Sequence, residues 1–161
     1  MRKEFCYIET RKVSEKKEDF VLKGLLRWII IIAPIAYGGL IWYLSGRPSD
    51  AVIRFRFADA FIKESLHLIE FAILYVLIVL SLLANGHLTR KTNVFAALIS
   101  ILYGLIDEIH QSFVPFRSAT VIDFVKDTLG VMIAYMLIDR GYFLKKNLIG
   151  KGLDRFQRLF Y

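Results

Sequence analysis

The sequence has 161 residues, the size of a single domain, and 56% of them are apolar. The net charge of +7 is compatible with nucleic-acid binding, but the lysines and arginines flank apolar stretches and do not line one polar face. We therefore exclude a nucleic-acid partner. Cys6 is the only cysteine, which excludes an intramolecular disulfide.

The apolar residues are gathered into four blocks. Each block is close to the ~20 residues that a helix needs to cross the ~30 Å hydrocarbon core of a membrane. Blocks of this length and apolar character span a bilayer as helices, because the backbone must satisfy its own hydrogen bonds there. We therefore predict an all-α integral membrane bundle of four transmembrane helices, which cover Leu25–Leu44, Leu66–Ala84, Val94–Phe113 and Thr120–Ile138.

The distribution of basic residues predicts the orientation of these helices. Of the 22 lysines and arginines, 16 lie in the two ends and in the loop between the second and third spans, and five lie in the other two loops. Because basic residues favour the cytoplasmic side, we predict cytoplasmic termini and outward-facing loops at 45–63 and 114–119. The first apolar run is too long for a signal peptide and lacks an obvious cleavage site, so it is interpreted as an uncleaved span.

Three parts of the chain follow from this topology. Residues 1–24 mix both signs of charge and are predicted to form a cytoplasmic arm, and residues 25–138 form the membrane domain. In residues 139–161, apolar side chains recur at helical spacing opposite basic ones, which predicts an amphipathic helix on the cytoplasmic leaflet. Membrane lipids are therefore the first expected partners.

Charged residues interrupt three of the spans near one end. At ~1.5 Å per residue, Glu70, Asp107 and Asp123 each lie roughly 21–23 Å from the cytoplasmic boundary. The short connection at 114–119 makes the third and fourth spans antiparallel neighbours, which should bring Asp107 and Asp123 together. We predict a polar layer in the outer third of the bilayer that opens to the outside.

Charges inside a membrane are costly, so these residues are functional candidates. Carboxylates beside imidazoles can hold a proton donor next to an acceptor, as acid–base catalysis requires. The predicted catalytic residues are His67, Glu70, Asp107, Glu108, His110, Gln111 and Asp123. The predicted substrate-binding residues are Arg117, whose planar fork suits phosphate or carboxylate, with Lys126 and Asp127. The spacing typical of a zinc site is absent from the sequence, and we predict neither a metal nor another cofactor.

The alternative interpretation of the polar layer is structural. Glu70, Asp107, Lys126 and Asp127 then form a buried network of ion pairs and hydrogen bonds that fixes the register of the helices. Asp123, in the first turn of the fourth span, then caps that helix below Thr120.

These residues resemble the VanZ-like family of small bacterial membrane proteins over roughly residues 40–138. The family's second-span pattern is similar to residues 64–71, with His67 and Glu70 at matching positions. Its hallmark Asp-Glu-x-His-Gln-x-Phe-x-Pro, followed by an arginine and an aspartate, is similar to Asp107, Glu108, His110, Gln111, Phe113, Pro115, Arg117 and Asp123.

Two positions depart from the family pattern, namely Glu64 in place of a basic residue and Phe116 in place of the usual glycine. The resemblance implies a bacterial cell-envelope protein associated with resistance to glycopeptides such as teicoplanin. We expect an outward-facing site that binds, and in an enzymatic version modifies, a cell-wall precursor or lipid-linked amphiphile. A non-enzymatic lipid- or partner-binding protein with a structural cluster is the first alternative, and a proton-coupled transporter is the second.

Overall fold

The computed structural model describes residues 2–47, 59–115, 117, 120–144 and 148–161, apart from the side chains of residues 2–16, 19 and 59–67. Five α-helices and one π-helical turn make up the regular structure of this part of the chain. They are α1 (Arg2–Ser45), α2 (Asp59–Ala84), α3 (Arg90–Ser112), α4 (Val121–Ile138), the π-helical turn (Asp139–Phe143) and α5 (Leu148–Arg158). The predicted all-α fold is confirmed.

Two helical segments among the described residues are long and apolar enough to cross a membrane, Phe20–Ser45 of α1 and all of α3. A third apolar segment, Leu68–Ala84 of α2, is shorter. Large apolar side chains on α1 and α3 are exposed, including Trp28 and Phe95. Exposed apolar surface of this extent suits a lipid environment and not water.

Helix α1 is longer than the predicted first span. It starts at Arg2 and includes 44 residues, so the predicted arm and span form one helix. Residues 2–23 contain neither proline nor glycine and are rich in lysine and glutamate, which are good helix formers. At ~1.5 Å per residue, α1 is ~66 Å long, about twice the thickness of a hydrocarbon core.

Local side-chain chemistry sets the starts and stops of the next helices. Thr89 caps α3, since its Oγ1 accepts a hydrogen bond from the Thr92 backbone N–H at 3.1 Å while its own N–H donates to Thr92 Oγ1 at 2.8 Å. Such a reciprocal pair satisfies two donors that the first turn of a helix leaves without partners. After α2, Gly86 adopts φ +71°, a left-handed conformation that ends helices.

Close packing holds α2, α3 and α4 together. A Cβ atom on Gly130 of α4 would collide with the backbone carbonyl of Leu68 in α2, so these two helices touch backbone to backbone. Gly104 of α3 lies against Asp127 of α4, and at the opposite end of the hairpin Arg90 lies over the ring of Phe143. These two contacts make α3 and α4 antiparallel.

The bundle has two different ends. We call the end where α1 and α3 finish and α2 and α4 begin the site end, and the opposite end the α5 end. At the α5 end, Gly150 packs against the backbone of Gly141, and Leu153 and Phe156 pack against the core.

Part of the apolar face of α5, Leu153 and Phe156, therefore packs against the bundle, and the predicted position of this helix on the cytoplasmic leaflet stays a prediction. Two small residues, Gly141 and Gly150, permit the close approach. The basic residues Lys151, Arg155 and Arg158 stay exposed on the other face of the helix.

Candidate functional site

The site end contains a layer of buried polar side chains, which we call the polar layer. Asp107, Glu108 and Gln111 of α3 and Asp127 of α4 are buried, with Asp107 only 1% exposed. Asp107 and Gln111 are one helical turn apart, and Gln111 Nε2 donates a hydrogen bond to Asp107 Oδ2 at 2.6 Å. The amide fixes one oxygen of the carboxylate.

The other oxygen of the Asp107 carboxylate, Oδ1, lacks a donor among the described residues, which makes it a candidate contact for a ligand. Asp107 Oδ1 is buried and has no hydrogen-bond partner among the described residues. A buried acceptor without a partner costs about 1–3 kcal/mol, and more when it is charged. The Oδ1 atom therefore calls for a donor from outside the described residues, such as a ligand, a water molecule or the side chain of His67.

Gly104 explains how Asp127 reaches the same layer as Asp107. These two residues of α3, Gly104 and Asp107, lie on one face because they are three positions apart. A Cβ atom on Gly104 would lie in ordinary van der Waals contact with both neighbours, 3.6 Å from the Asp127 Cβ and 3.6 Å from the Phe71 ring. The small residue thus brings α2 and α4 up to the Asp107 face of α3.

Helix α2 contributes to the layer from the other side. Glu70 is half-buried, and Phe71 beside it is buried against Gly104. The backbone contact between Leu68 and Gly130 sets the depth of these residues relative to Asp127. His67 lies in α2 as well, but its side chain is outside the described part of the structure.

Asp123 and Lys126 lie at the start of α4, on the same helix as Asp127. Thr120 Oγ1 donates to Asp123 Oδ2 at 2.6 Å and accepts from the Asp123 backbone N–H at 3.2 Å. Lys126 Nζ forms an ion pair with Asp123 Oδ1 at 3.3 Å. This is the capping geometry of the structural alternative, since it satisfies the start of α4 and places negative charge at its positive end.

Arg117 lies on the connection between α3 and α4 and contacts the end of α1. Its Nη1 donates a hydrogen bond to the backbone carbonyl of Ser45 at 2.8 Å. Ser45 is the last residue of α1, where a helix leaves carbonyls without partners and carries partial negative charge. A guanidinium has five N–H donors, so this bond orients Arg117 without exhausting its capacity to bind an anion.

His110 also contacts α1. Its ring is stacked on the indole of Trp42, with ring centroids 3.9 Å apart and an interplanar angle of 9°. His110 Nδ1 is buried and has no hydrogen-bond partner within the described residues. Neither Trp42 nor Ser45 was among the site residues that the sequence predicted.

The contact between Trp42 and His110 has a signal in the lengths of the two helices. Trp42 lies three residues before the end of α1, and His110 lies two residues before the end of α3. Both helices finish at the site end, so the two rings are expected at nearly one depth.

The described residues hold no group of three or more histidine, cysteine, aspartate or glutamate side chains that could bind a metal ion. The side chain of His67 does not belong to this described part. The carboxylates of the layer are groups that can accept and donate protons, and the Gln111 amide orients one of them by a hydrogen bond.

The comparisons with known proteins support one family. The profile described as VanZ/LLP1 matches residues 13–144, which include α2, α3, α4 and most of α1. No curated protein and no solved structure matches the chain significantly.

Proposed function

The chain belongs to the VanZ/LLP1 family, and from this premise we propose that it is a cell-envelope membrane protein whose polar layer binds a cell-wall precursor or a lipid-linked amphiphile. The family and the apolar helices indicate a membrane protein. In the proposed arrangement, four helices span the cytoplasmic membrane, both termini are cytoplasmic and the site end faces outward. The protein thereby influences susceptibility to glycopeptides such as teicoplanin.

One observation carries this proposal. Asp107 Oδ1 is a buried acceptor without a hydrogen-bond partner among the described residues, held in place through Gln111 on the other oxygen. Burial of an unsatisfied carboxylate costs stability, so a role in binding accounts for this group better than a role in stability. The hydroxyl, amide or ammonium donors of a cell-wall amphiphile would satisfy it.

Arg117 supports the choice of an amphiphile with an anionic group. The bond to Ser45 holds its guanidinium at the end of α1, on the connection that leads into α4. In an enzymatic version, Asp107 or Glu108 acts as general acid or base while Arg117 holds a phosphate or carboxylate of the same molecule.

The test compares isosteric variants of the two buried carboxylates. Asp107→Asn and Glu108→Gln keep the shape of each side chain and remove its proton-accepting charge. We expect both variants to accumulate in the membrane at the wild-type level and to lose the shift in minimal inhibitory concentration that the wild-type protein confers.

The matched control is Asp154→Asn in α5, the same change at the opposite end of the bundle, which should keep the phenotype. Full activity of both site variants would contradict the proposal. Their loss from the membrane would instead favour the structural alternative.

Two contacts favour that alternative as a second candidate, a non-enzymatic protein whose polar residues hold helices together. Asp123 caps α4 through Thr120, and Arg117 binds the last carbonyl of α1. In this version, Asp123→Asn should lower the melting temperature of the purified protein and change drug susceptibility only through the amount of folded protein.

A further inference from the structure

We propose that α1 is a working part of the site, because Trp42 and the carbonyl of Ser45 position His110 and Arg117 for ligand binding. Trp42 is in this view a positioning residue that acts through His110. The inference rests on the proposed function of the same site.

The stack on Trp42 defines the orientation of the His110 ring. An imidazole in a protein is usually held by hydrogen bonds at its nitrogens. His110 Nδ1 is buried and lacks such a bond among the described residues, while the ring lies flat on the indole at 3.9 Å. Gly46 adjoins the edge of the ring, where a Cβ atom would lie 3.5 Å from His110 Cε1. The stack on the Trp42 indole, and not a hydrogen bond at Nδ1, therefore orients the His110 ring.

The bond to Ser45 fixes Arg117 in a comparable way. Arg117 lies outside the regular helices, so its own backbone gives the side chain little support. Ser45 is buried, and a bond between a guanidinium and a helix-end carbonyl is strengthened where water is excluded. The last carbonyl of α1 thus sets where the cation lies relative to the polar layer.

The contacts belong to one face of α1. Tyr103 Oη donates to the carbonyl of Gly38 at 2.7 Å, and positions 38, 42 and 45 recur at helical spacing. This face meets α3 and the connection after it. Trp28 lies on the same helix and is 64% exposed, whereas Trp42 is 43% exposed and has one ring face on His110.

Precise placement matters at such a site. A displacement of a functional group by ~1 Å can cost about 100-fold in rate or binding. Loss of the indole should therefore weaken the function without removing any group that contacts the ligand.

The experiment combines a spectroscopic and a functional measurement on the full chain. The protein is labelled at histidine, purified in detergent micelles and examined by NMR. Of its three histidines, one should show the upfield ring-current shift of an imidazole stacked on indole. Trp42→Leu should abolish that shift, and Trp42→Phe should retain part of it.

The functional measurement uses the same variants in cells. Trp42→Leu should reduce the shift in minimal inhibitory concentration to the vector-only value, and Trp42→Phe should restore most of it. Trp28→Leu is the matched control, since it removes the other tryptophan of the chain from the same helix and should change neither the spectrum nor the phenotype.

Two results would overturn the inference, and they differ in what else they overturn. If His110→Gln and Arg117→Gln lose the phenotype while Trp42→Leu keeps it, α1 has no positioning role but the proposed function of the site stands. If all three variants keep the phenotype, the proposed function fails for this part of the site together with the inference.

Discussion

The two ends of the bundle use polar side chains differently. At the α5 end, polar side chains form hydrogen bonds that join separate elements. Arg27 Nη2 donates to the Phe160 carbonyl at 2.6 Å, and Tyr142 Oη donates to Gln157 Oε1 at 3.1 Å. At the site end, Asp107 is buried with one carboxylate oxygen that lacks a hydrogen bond among the described residues.

The difference separates structural polar groups from candidate functional ones. A polar group that serves stability is expected to have its hydrogen bonds made within the protein. A group that serves a ligand keeps some of its capacity for that ligand and costs stability in the free protein. By this criterion Asp107 belongs to a functional site, whereas Tyr142 belongs to the fold. Arg27 Nε is also buried without a partner among the described residues, and it is the contacts of Arg27 with Phe160 and Tyr161 that assign this residue to the fold.

The two ends of the bundle are also expected to face opposite sides of the membrane, and cysteine labelling tests this orientation. In a Cys6→Ser background, single cysteines at positions 54, 91, 117 and 151 are treated with an impermeant maleimide in intact cells. We expect labelling at 54 and 117 and none at 91 and 151, because the basic segments favour the cytoplasm.

Position 54 lies outside the described residues, so position 117 reports directly on the site end. All four positions should be labelled after the membrane is permeabilised, which serves as the control. Labelling only at 91 and 151 in intact cells would place the polar layer on the cytoplasmic side and remove access from the outer leaflet.

The next largest effect is expected at the backbone contact that forms the polar layer. Gly130→Ala introduces a Cβ atom that collides with the Leu68 carbonyl, which only a shift of α2 or α4 can relieve. Overpacking of this kind typically destabilises a protein by about 1–3 kcal/mol. We expect a marked fall in the melting temperature of the detergent-solubilised protein.

The control for that substitution is Gly39→Ala in α1. Nothing lies within 4 Å of the Cβ position of Gly39, so this change should be neutral or stabilising by less than about 1 kcal/mol. Equal melting temperatures for the Gly130 variant and the wild type would mean that α2 and α4 do not meet as described.

A smaller effect is expected at the α5 end. Arg27→Gln removes the charged donor to the Phe160 carbonyl and the cation–π contact with Tyr161, whose ring centroid is 5.2 Å from the guanidinium carbon. The loss should be about 1 kcal/mol. It should loosen α5, detectable as faster trypsin cleavage at Lys151, with drug susceptibility unchanged.

Lys23→Gln supplies the comparison for Arg27, because Lys23 is an exposed basic residue one turn earlier on the same helix. Trypsin should cleave the Lys23→Gln variant at Lys151 at the wild-type rate. If Arg27→Gln lost the susceptibility phenotype at normal protein levels, the assignment of the α5 end to the fold alone would be wrong.

The sequence predicted the helices and the family because both depend on local patterns. The apolar blocks and the Asp107 to Asp123 motif are visible in the residues themselves, and the all-α fold and the family are confirmed. Four membrane spans and the roles of the site residues stay predictions. Helix α4 has three charged residues, Asp123, Lys126 and Asp127, among its 18 residues.

Contacts between segments that are distant in the chain could not be predicted from the sequence. No periodicity indicates that Gly150 fits against Gly141, which turns the apolar face of α5 toward the bundle. The bond from Arg117 to Ser45 likewise joins residues 72 positions apart, and only the packing of α1 against α3 brings them together. Such details depend on tertiary structure, which overrides local preference.

The central claim concerns Asp107 Oδ1, and a high-resolution structure of the protein in nanodiscs made from the host's membrane lipids tests it most directly. We expect density for a bound headgroup or saccharide within hydrogen-bond distance of Oδ1, with its anionic part toward Arg117. A structure in which the His67 side chain donates to Oδ1 and the layer holds no bound molecule would contradict the claim, since the polar layer would then be a closed structural network.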